Sequence, residues 1–314
     1  ILALLSIPAL QAALETTRRI HCASNLHQLG ISWNSYVASN DCGPPAIIWD
    51  GKGIEVINDR WMFPGTADLA ELTGSEEDDR IRGGAFQSLR PFGENLNFRC
   101  PSDPDSAKYR RQTTSGERLV RGNYAVNFGP DPPCLKASER SGTPQGFPDW
   151  SCSTLFPRAP HGVGVDVLPP DAKEIRVVSG SGVAGINRCF TQKDFVRGLS
   201  HVVIIDEIKA GRDEFDRRGS WTQPLVGASI TFGHGYWGPA GGGPNNCAFD
   251  DVVQGCRQDY SKCMPCRDDI GLSVRATARS CHAGGVNQLF ADGSVQFITD
   301  DVDQMIWTDS HSRF

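Results

Sequence analysis

Apolar and polar positions divide the first 40 residues into two stretches. Residues 1–14, ILALLSIPALQAAL, are almost wholly apolar, whereas residues 15–40 carry a single apolar stripe. Cys22, Leu26, Leu29, Trp33 and Tyr36 recur with 4-3-4-3 spacing along one face of a helix, and Arg18, Arg19, Asn25, Gln28 and Asn34 point elsewhere. The spacing predicts one continuous helix over 1–40 whose second half packs on a domain. Its first half has no stripe, only bulk hydrophobicity, which suits lipid or a bundle of other apolar helices. Only 14 residues precede Glu15, short of the ~20 that span a bilayer. The expectation is therefore that the chain as given begins inside a longer hydrophobic segment. Pro8 fits that setting, because prolines are tolerated in membrane or bundle helices whose neighbours satisfy the freed carbonyl.

Asp41-Cys42-Gly43-Pro44-Pro45 ends the helix and opens a globular domain over 41–314. Residues 46–64 hold two apolar runs around Asp50-Gly51-Lys52-Gly53, the pattern of a hairpin or an extended arm. A short helix is expected within 66–90, and Glu76-Glu77-Asp78-Asp79 reads as a solvated loop, since contiguous carboxylates lack the alternation of calcium loops. Asn123–Gly129 alternates like a strand, and HVVIIDEI at 201–208 is the near-continuous apolar run of a central buried strand. Residues 130–175, rich in Pro and Gly, read as a variable surface insertion closed by a Cys134–Cys152 bridge. The tail carries the firmest local signal. Val286, Leu289 and Phe290 precede Asp292-Gly293, and Val295, Phe297 and Ile298 follow it, a closing β-hairpin with alternation sending part of this set to the packed face.

The chain has 314 residues, net charge -6 and 22% charged residues, with no basic stripe, so nucleic acid is not an expected partner. Gly 34 and Pro 20, about a sixth of the chain, suit a loop-rich β-domain. Eleven cysteines behind an apolar N-terminus point to an oxidising compartment and several disulfides, with one thiol left over by parity. Cys256-x6-Cys263-x2-Cys266 could hold zinc only with a second knuckle, which is missing, so disulfides are the better reading. No His follows Cys266, which excludes the c-type haem attachment pattern.

Catalytic signatures are scarce. There is no Gly-x-Ser-x-Gly, no His-Glu-x-x-His and no phosphate loop. Asp206 and Glu207 end the apolar run at 201–208, but no second carboxylate or histidine is tied to them by a known spacing. His282 is either a ligand or polar contact to Asp292, or a histidine satisfied by backbone at the start of a strand, and the second reading is preferred. No catalytic, metal or cofactor residue is assigned.

Three blocks carry a family resemblance: the apolar run with Pro8 leading to Arg18-Arg19 and Cys22-x-x-Asn25-Leu26, then Cys100-Pro101-Ser102-Asp103, then His282-x9-Asp292-Gly293. Together they resemble type IV pilin-like proteins and type II secretion pseudopilins, in particular the large prepilin-like subfamily of planctomycete-type bacteria, domain-of-unknown-function family 1559. The processed Phe and early Glu with which that family starts are not present here. The resemblance implies an α+β fold, with a long N-terminal hydrophobic helix packed on an antiparallel sheet domain with disulfide-tied loops. It also suggests that Cys22 and Cys100 pair and staple the helix to the domain, or else remain buried thiols. In such proteins the apolar helix halves bundle at a filament axis, which would give that role to Ile1, Leu2, Leu4, Leu5, Ile7, Pro8, Leu10 and Leu14. The implied function is a self-assembling subunit of an extracellular or cell-envelope filament, with itself and a membrane or assembly machinery as partners. The alternative is a membrane-anchored surface or periplasmic binding or secretion module that does not polymerise.

Overall fold

The computed structural model describes residues 2–49, 54–55, 81–93, 97–113, 116–130, 174–175, 178–179, 181–186, 189–235, 242–253, 255–268 and 275–314. In chain order the principal elements are α1 (Leu2–Asn40), β1 (Ile47–Trp49), β2 (Ile81–Gly84), α2 (Ala85–Leu89), β3 (Tyr124–Asn127), β4 (Val178–Ser179), β5 (Gly185–Ile186), β6 (Val203–Glu207), β7 (Ile230–Thr231), β8 (Gly285–Phe290), β9 (Val295–Thr299) and α3 (Gln304–Ser310). The architecture is α+β, a long N-terminal helix lying on a mainly antiparallel sheet.

Helix α1 runs unbroken for 39 residues through Pro8, a length of about 58 Å at 1.5 Å per residue. Among the described residues no helix is long and apolar enough to cross a membrane. Cys22, Leu26, Leu29 and Trp33 are buried against the domain, and Tyr36 is half-buried with its ring edge-on to Phe92 at 5.3 Å. Ser32, buried between them, donates its hydroxyl to the Gln28 carbonyl at 3.1 Å. At Gly30 helix and sheet lie so close that a Cβ there would stand 2.9 Å from Leu289 Cδ1.

The central sheet has the order β7-β3-β6-β8-β9. Strand β6 is its middle strand and every residue in it is buried, as its apolar run demands. It pairs antiparallel with β3 (Asp206 opposite Ala125, Glu207 opposite Tyr124) and with β8 (Asp206 opposite Gln288, Ile205 opposite Leu289), while β7 joins the edge parallel to β3. Because successive strand residues face opposite sides, Asp206 and Glu207 enter two different layers.

The β8–β9 hairpin forms in the expected register, Gly285 opposite Thr299 through Leu289 opposite Val295. Gly293 adopts φ +88 in its turn, and a side chain there would also press on Asn34 of α1 at 3.1 Å. The expected in–out alternation fails in β8, where all six residues are buried. The reason is that β8 is covered on both faces, Leu289 lying against α1 and Val286 against Trp307 of α3. Strand β9, at the edge, stays half-buried or exposed.

Among the described residues of 46–64, Ile47–Trp49 and Ile54–Glu55 do not pair with each other. Instead β1 pairs with β2 and β5, and Ile54–Glu55 pairs with Glu174–Ile175. Short-range pattern was overridden by partners more than 30 residues away. The helix expected within 66–90 is α2 at its end; Asp50–Gly53, the acidic run 76–79 and the Cys134–Cys152 bridge lie outside the described residues.

Four disulfides lock the described parts: Cys22–Cys100, Cys42–Cys189, Cys247–Cys263 and Cys256–Cys266, with Cys281 a free thiol among the described residues. Cystines in this number belong to an oxidising, non-cytoplasmic environment. The first two bracket the docked half of α1, one near its start and one just past its end.

Candidate functional site

The site is the place where α1 leaves the domain. From residue 7 to residue 14 the helix is exposed throughout, with Ile7 52%, Leu10 62% and Leu14 48% accessible, and Pro8 exposed among them. Leu2, Leu4 and Leu5 continue the same helix, and Ile1 lies outside the described residues. The first polar anchor is Glu15. Its Oε1 accepts from Ser102 Oγ at 2.8 Å and stands 2.7 Å from His282 Nδ1.

That contact joins the two sequence motifs. Cys100-Pro101-Ser102-Asp103 forms a tight turn, the Asp103 amide donating to the Cys100 carbonyl at 3.0 Å, with Pro101 exposed on it. Asp103 is buried and accepts from Asn123 Nδ2 at 2.6 Å, from the Ala210 amide at 2.9 Å and from the Asp105 amide at 3.1 Å. Burial raises its carboxyl above the ordinary range against those hydrogen bonds. Asn123 Oδ1 in turn takes the Cys100 amide at 2.9 Å, so the turn is fixed with Cys100 beneath α1, where it bonds to Cys22.

His282 closes the arrangement from the other end of the chain. Its Nε2 is 3.3 Å from Glu207 Oε1 and 3.4 Å from Cys100 Sγ, opposite the Glu15 contact at Nδ1. Glu207 is itself held by the amide of Asn287 at 2.7 Å and by Asn287 Nδ2 at 3.1 Å. Burial alone pushes the His282 imidazole toward its neutral form, but hydrogen bonding and charge from Glu207, then from Glu15, outweigh it and raise its pKa above the ordinary histidine value. The ring therefore bridges the central strand and the helix, with both carboxylates favouring its charged form.

The preferred sequence reading of His282, a ring satisfied by backbone, does not hold, nor does a contact to Asp292. Asp292 sits at the far end of β8, where it accepts from the Ser294 amide at 2.9 Å and caps the hairpin turn beside Gly293. The motif therefore couples a bridge and a turn at the two ends of one strand. Glu15, which in sequence marks only the end of the apolar run, lies 267 positions from its partner, and no local pattern announces that pairing. A lone carboxylate at the boundary of an apolar helix was the only signal.

Chemically, the cluster holds charge and position. Cys22, Cys100, Glu207 and His282 bring metal-binding atom types within 4.8 Å of one another, but sulfurs joined in a disulfide are not thiolate ligands, so the set does not fit a metal. Cys281, beside His282, is an exposed residue whose thiol is pushed up to about 12 by the desolvation of its sulfur and then by Asp103.

No curated protein and no solved structure matched the chain. One family model did, over residues 11–305, a span that takes in the docked helix, the Cys-Pro-Ser-Asp turn and the His-x9-Asp-Gly hairpin alike. With nearly the whole described architecture inside that match, the chain belongs to the family described as "Protein of unknown function (DUF1559)".

Proposed function

We propose that the chain is a pilin-like structural subunit of an extracellular or cell-envelope filament, assembling through its N-terminal helix with further copies of itself. The observation that carries this reading is the exposed apolar stretch Ile7–Leu14 on a helix whose following half is rigidly docked. Burying a leucine or isoleucine side chain contributes about 1.5–3 kcal/mol, so a run of them left in water is a strong drive to associate. A second copy's helix is the occupant of matching chemistry, and a membrane or an assembly machinery would receive the same segment before polymerisation. The cystines support an extracellular or cell-surface setting. The net charge of -6 gives no footprint for nucleic acid. A structural role also fits the site, whose ionisable groups Glu207 and His282 are buried and spent on one another.

The test is a comparison of the full chain with a version lacking residues 1–14. The full chain should form filaments visible by negative-stain microscopy, and the truncated chain should elute as a folded monomer from size exclusion. Filaments from the truncated chain would remove the helix from the assembly axis. Full chain that inserts singly into vesicles without filaments would make the protein a membrane-anchored module instead.

A further inference from the structure

Asp206, His234 and His311 meet in the layer of the sheet opposite α1, each fully buried. Asp206 comes from the central strand, His234 from the loop after β7 and His311 from the end of α3. His311 is the ring aligned with the carboxylate, its Nε2 3.1 Å from Asp206 Oδ1 and its Nδ1 2.7 Å from the Trp307 carbonyl. The rest of Asp206 is taken, since Oδ2 accepts from Thr231 Oγ1 at 2.5 Å and Oδ1 also accepts from Gln288 Nε2 at 2.7 Å. A proton added to this cluster therefore finds its place on His311, between two acceptors.

A second proton has no such place. The His234 ring lies flat on that of His311, with centroids 3.8 Å apart and planes 16° from parallel. Its Nε2 accepts from the Ala278 amide at 3.2 Å, so the ring's own proton sits on Nδ1, which has no partner among the described residues. Protonating Nε2 would break that hydrogen bond, set one N–H against another and stack cation on cation in a buried layer. Burial and then His311 outweigh the pull of Asp206, and the buried guanidinium of Arg279 adds to the repulsion, so His234 is held well below the ordinary histidine value.

Helix α3 is the element these contacts hold in place. Its Trp307 packs with Ala278 and Val286 in a small apolar cluster separate from the main core, and stands edge-on to His234 at 5.6 Å. Gln304 Nε2 donates to the His234 carbonyl at 3.2 Å, and Asn127 Nδ2 to the His311 carbonyl at 2.9 Å. Lifting α3 takes His311 off the stack and frees His234 while β3, β6 and β8 stay paired, so it costs less than unfolding the sheet.

We propose that the stacked His234–His311 pair on Asp206 is a proton latch, which holds α3 against the sheet at neutral pH and releases it in acid when His234 takes up a proton. The Glu15–His282–Glu207 bridge lies in the other layer and is no part of it. The sign follows from the neutral ring: below about pH 6.5 the released form binds a proton that the latched form does not, so opening grows by up to about tenfold for each pH unit.

Hydrogen exchange read by mass spectrometry on the full chain, corrected for the intrinsic pH dependence of exchange, tests this. Between pH 7.5 and pH 5.0 the opening of α3 should rise about thirtyfold while β6 keeps its protection. His234→Asn keeps an acceptor near the Ala278 amide but cannot take the proton, so its α3 should change by less than about threefold. Wild-type α3 whose protection is the same at both pH values overturns the proposal, as does His234→Asn opening as far as wild type. Loss of protection in α3 and β6 together overturns it too, because acid would then act on the whole fold. Should His234→Asn fail to fold, the wild-type profile decides: opening that sets in near pH 6.5 supports the latch, and opening confined to the carboxylate range below about pH 4.5 overturns it.

Discussion

The two halves of α1 both carry large apolar side chains, and those side chains meet opposite fates. Cys22, Leu26, Leu29, Trp33 and Tyr36 form one stripe that faces the domain, whereas Ile7, Leu10 and Leu14 stand in water. Hydrophobicity is common to both, so it does not explain the docking. What differs is the supply of partners: the lower half meets a sheet whose β8 brings Leu289 up to Gly30, and it is bracketed by two disulfides. Glu15 stands at the border and converts the end of the docked half into a fixed point.

Removing the Cys22–Cys100 staple should give the largest stability change. The bridge closes a loop of 78 residues, which on chain-entropy grounds is worth roughly 4.5 kcal/mol. Cys22→Ser with Cys100→Ser should therefore lower the unfolding free energy by about 2–5 kcal/mol in denaturant titrations followed by circular dichroism. A melt unchanged by the double substitution would mean that the lower half is held by packing alone.

A pair of substitutions two positions apart sharpens the contrast between stripe and water. Leu29 is fully buried and Ile31 is 54% exposed on the same helix. Leu29→Ala should cost about 2–5 kcal/mol, and Ile31→Ala within about 0.5 kcal/mol. Similar losses at both positions, measured by the same denaturant titration, would show that α1 is stabilised by its own helicity and not by docking.

The stripe could be read from sequence because a 3.6-residue period is local, and so could the β8–β9 hairpin, whose turn chemistry sits in two adjacent residues. The buried strand β6 announced itself by an apolar run. What could not be read was who sits across from whom. The strand pairing of β1 with β2 and β5, the Glu15–His282–Glu207 bridge and the meeting of Asp206 with His234 and His311 all join distant segments, and each depends on how the sheet is ordered. The adjacent Asp206 and Glu207 illustrate the point. They look like one acidic pair in sequence, yet strand alternation sends them to opposite layers with different histidines. The alternation expected of β8 failed for a related reason, since period-2 burial presumes one wet face and α3 covers the second.

The smallest effect concerns the bridge itself and carries a sign in pH. His282 has its folded-state pKa raised above the ordinary histidine value, because the carboxylates of Glu207 and Glu15 outweigh the burial that opposes its charge. A group raised in this way stabilises the fold fully at pH values below its unfolded pKa of about 6.5, and loses that contribution as pH rises through the folded pKa. Hydrogen bonds to charged partners contribute about 1.5–3 kcal/mol. His282→Gln should therefore lower stability by about that amount at pH 6, and the gap to wild type should narrow steadily toward pH 9. Taking the difference between the two proteins cancels the titration of groups not in contact with His282, the buried His234 included. Paired melts across this range decide the matter: a gap that is constant in pH would mean that His282 acts through shape alone, and one that widens toward alkaline pH would mean that the ring bridges helix and strand in its neutral form.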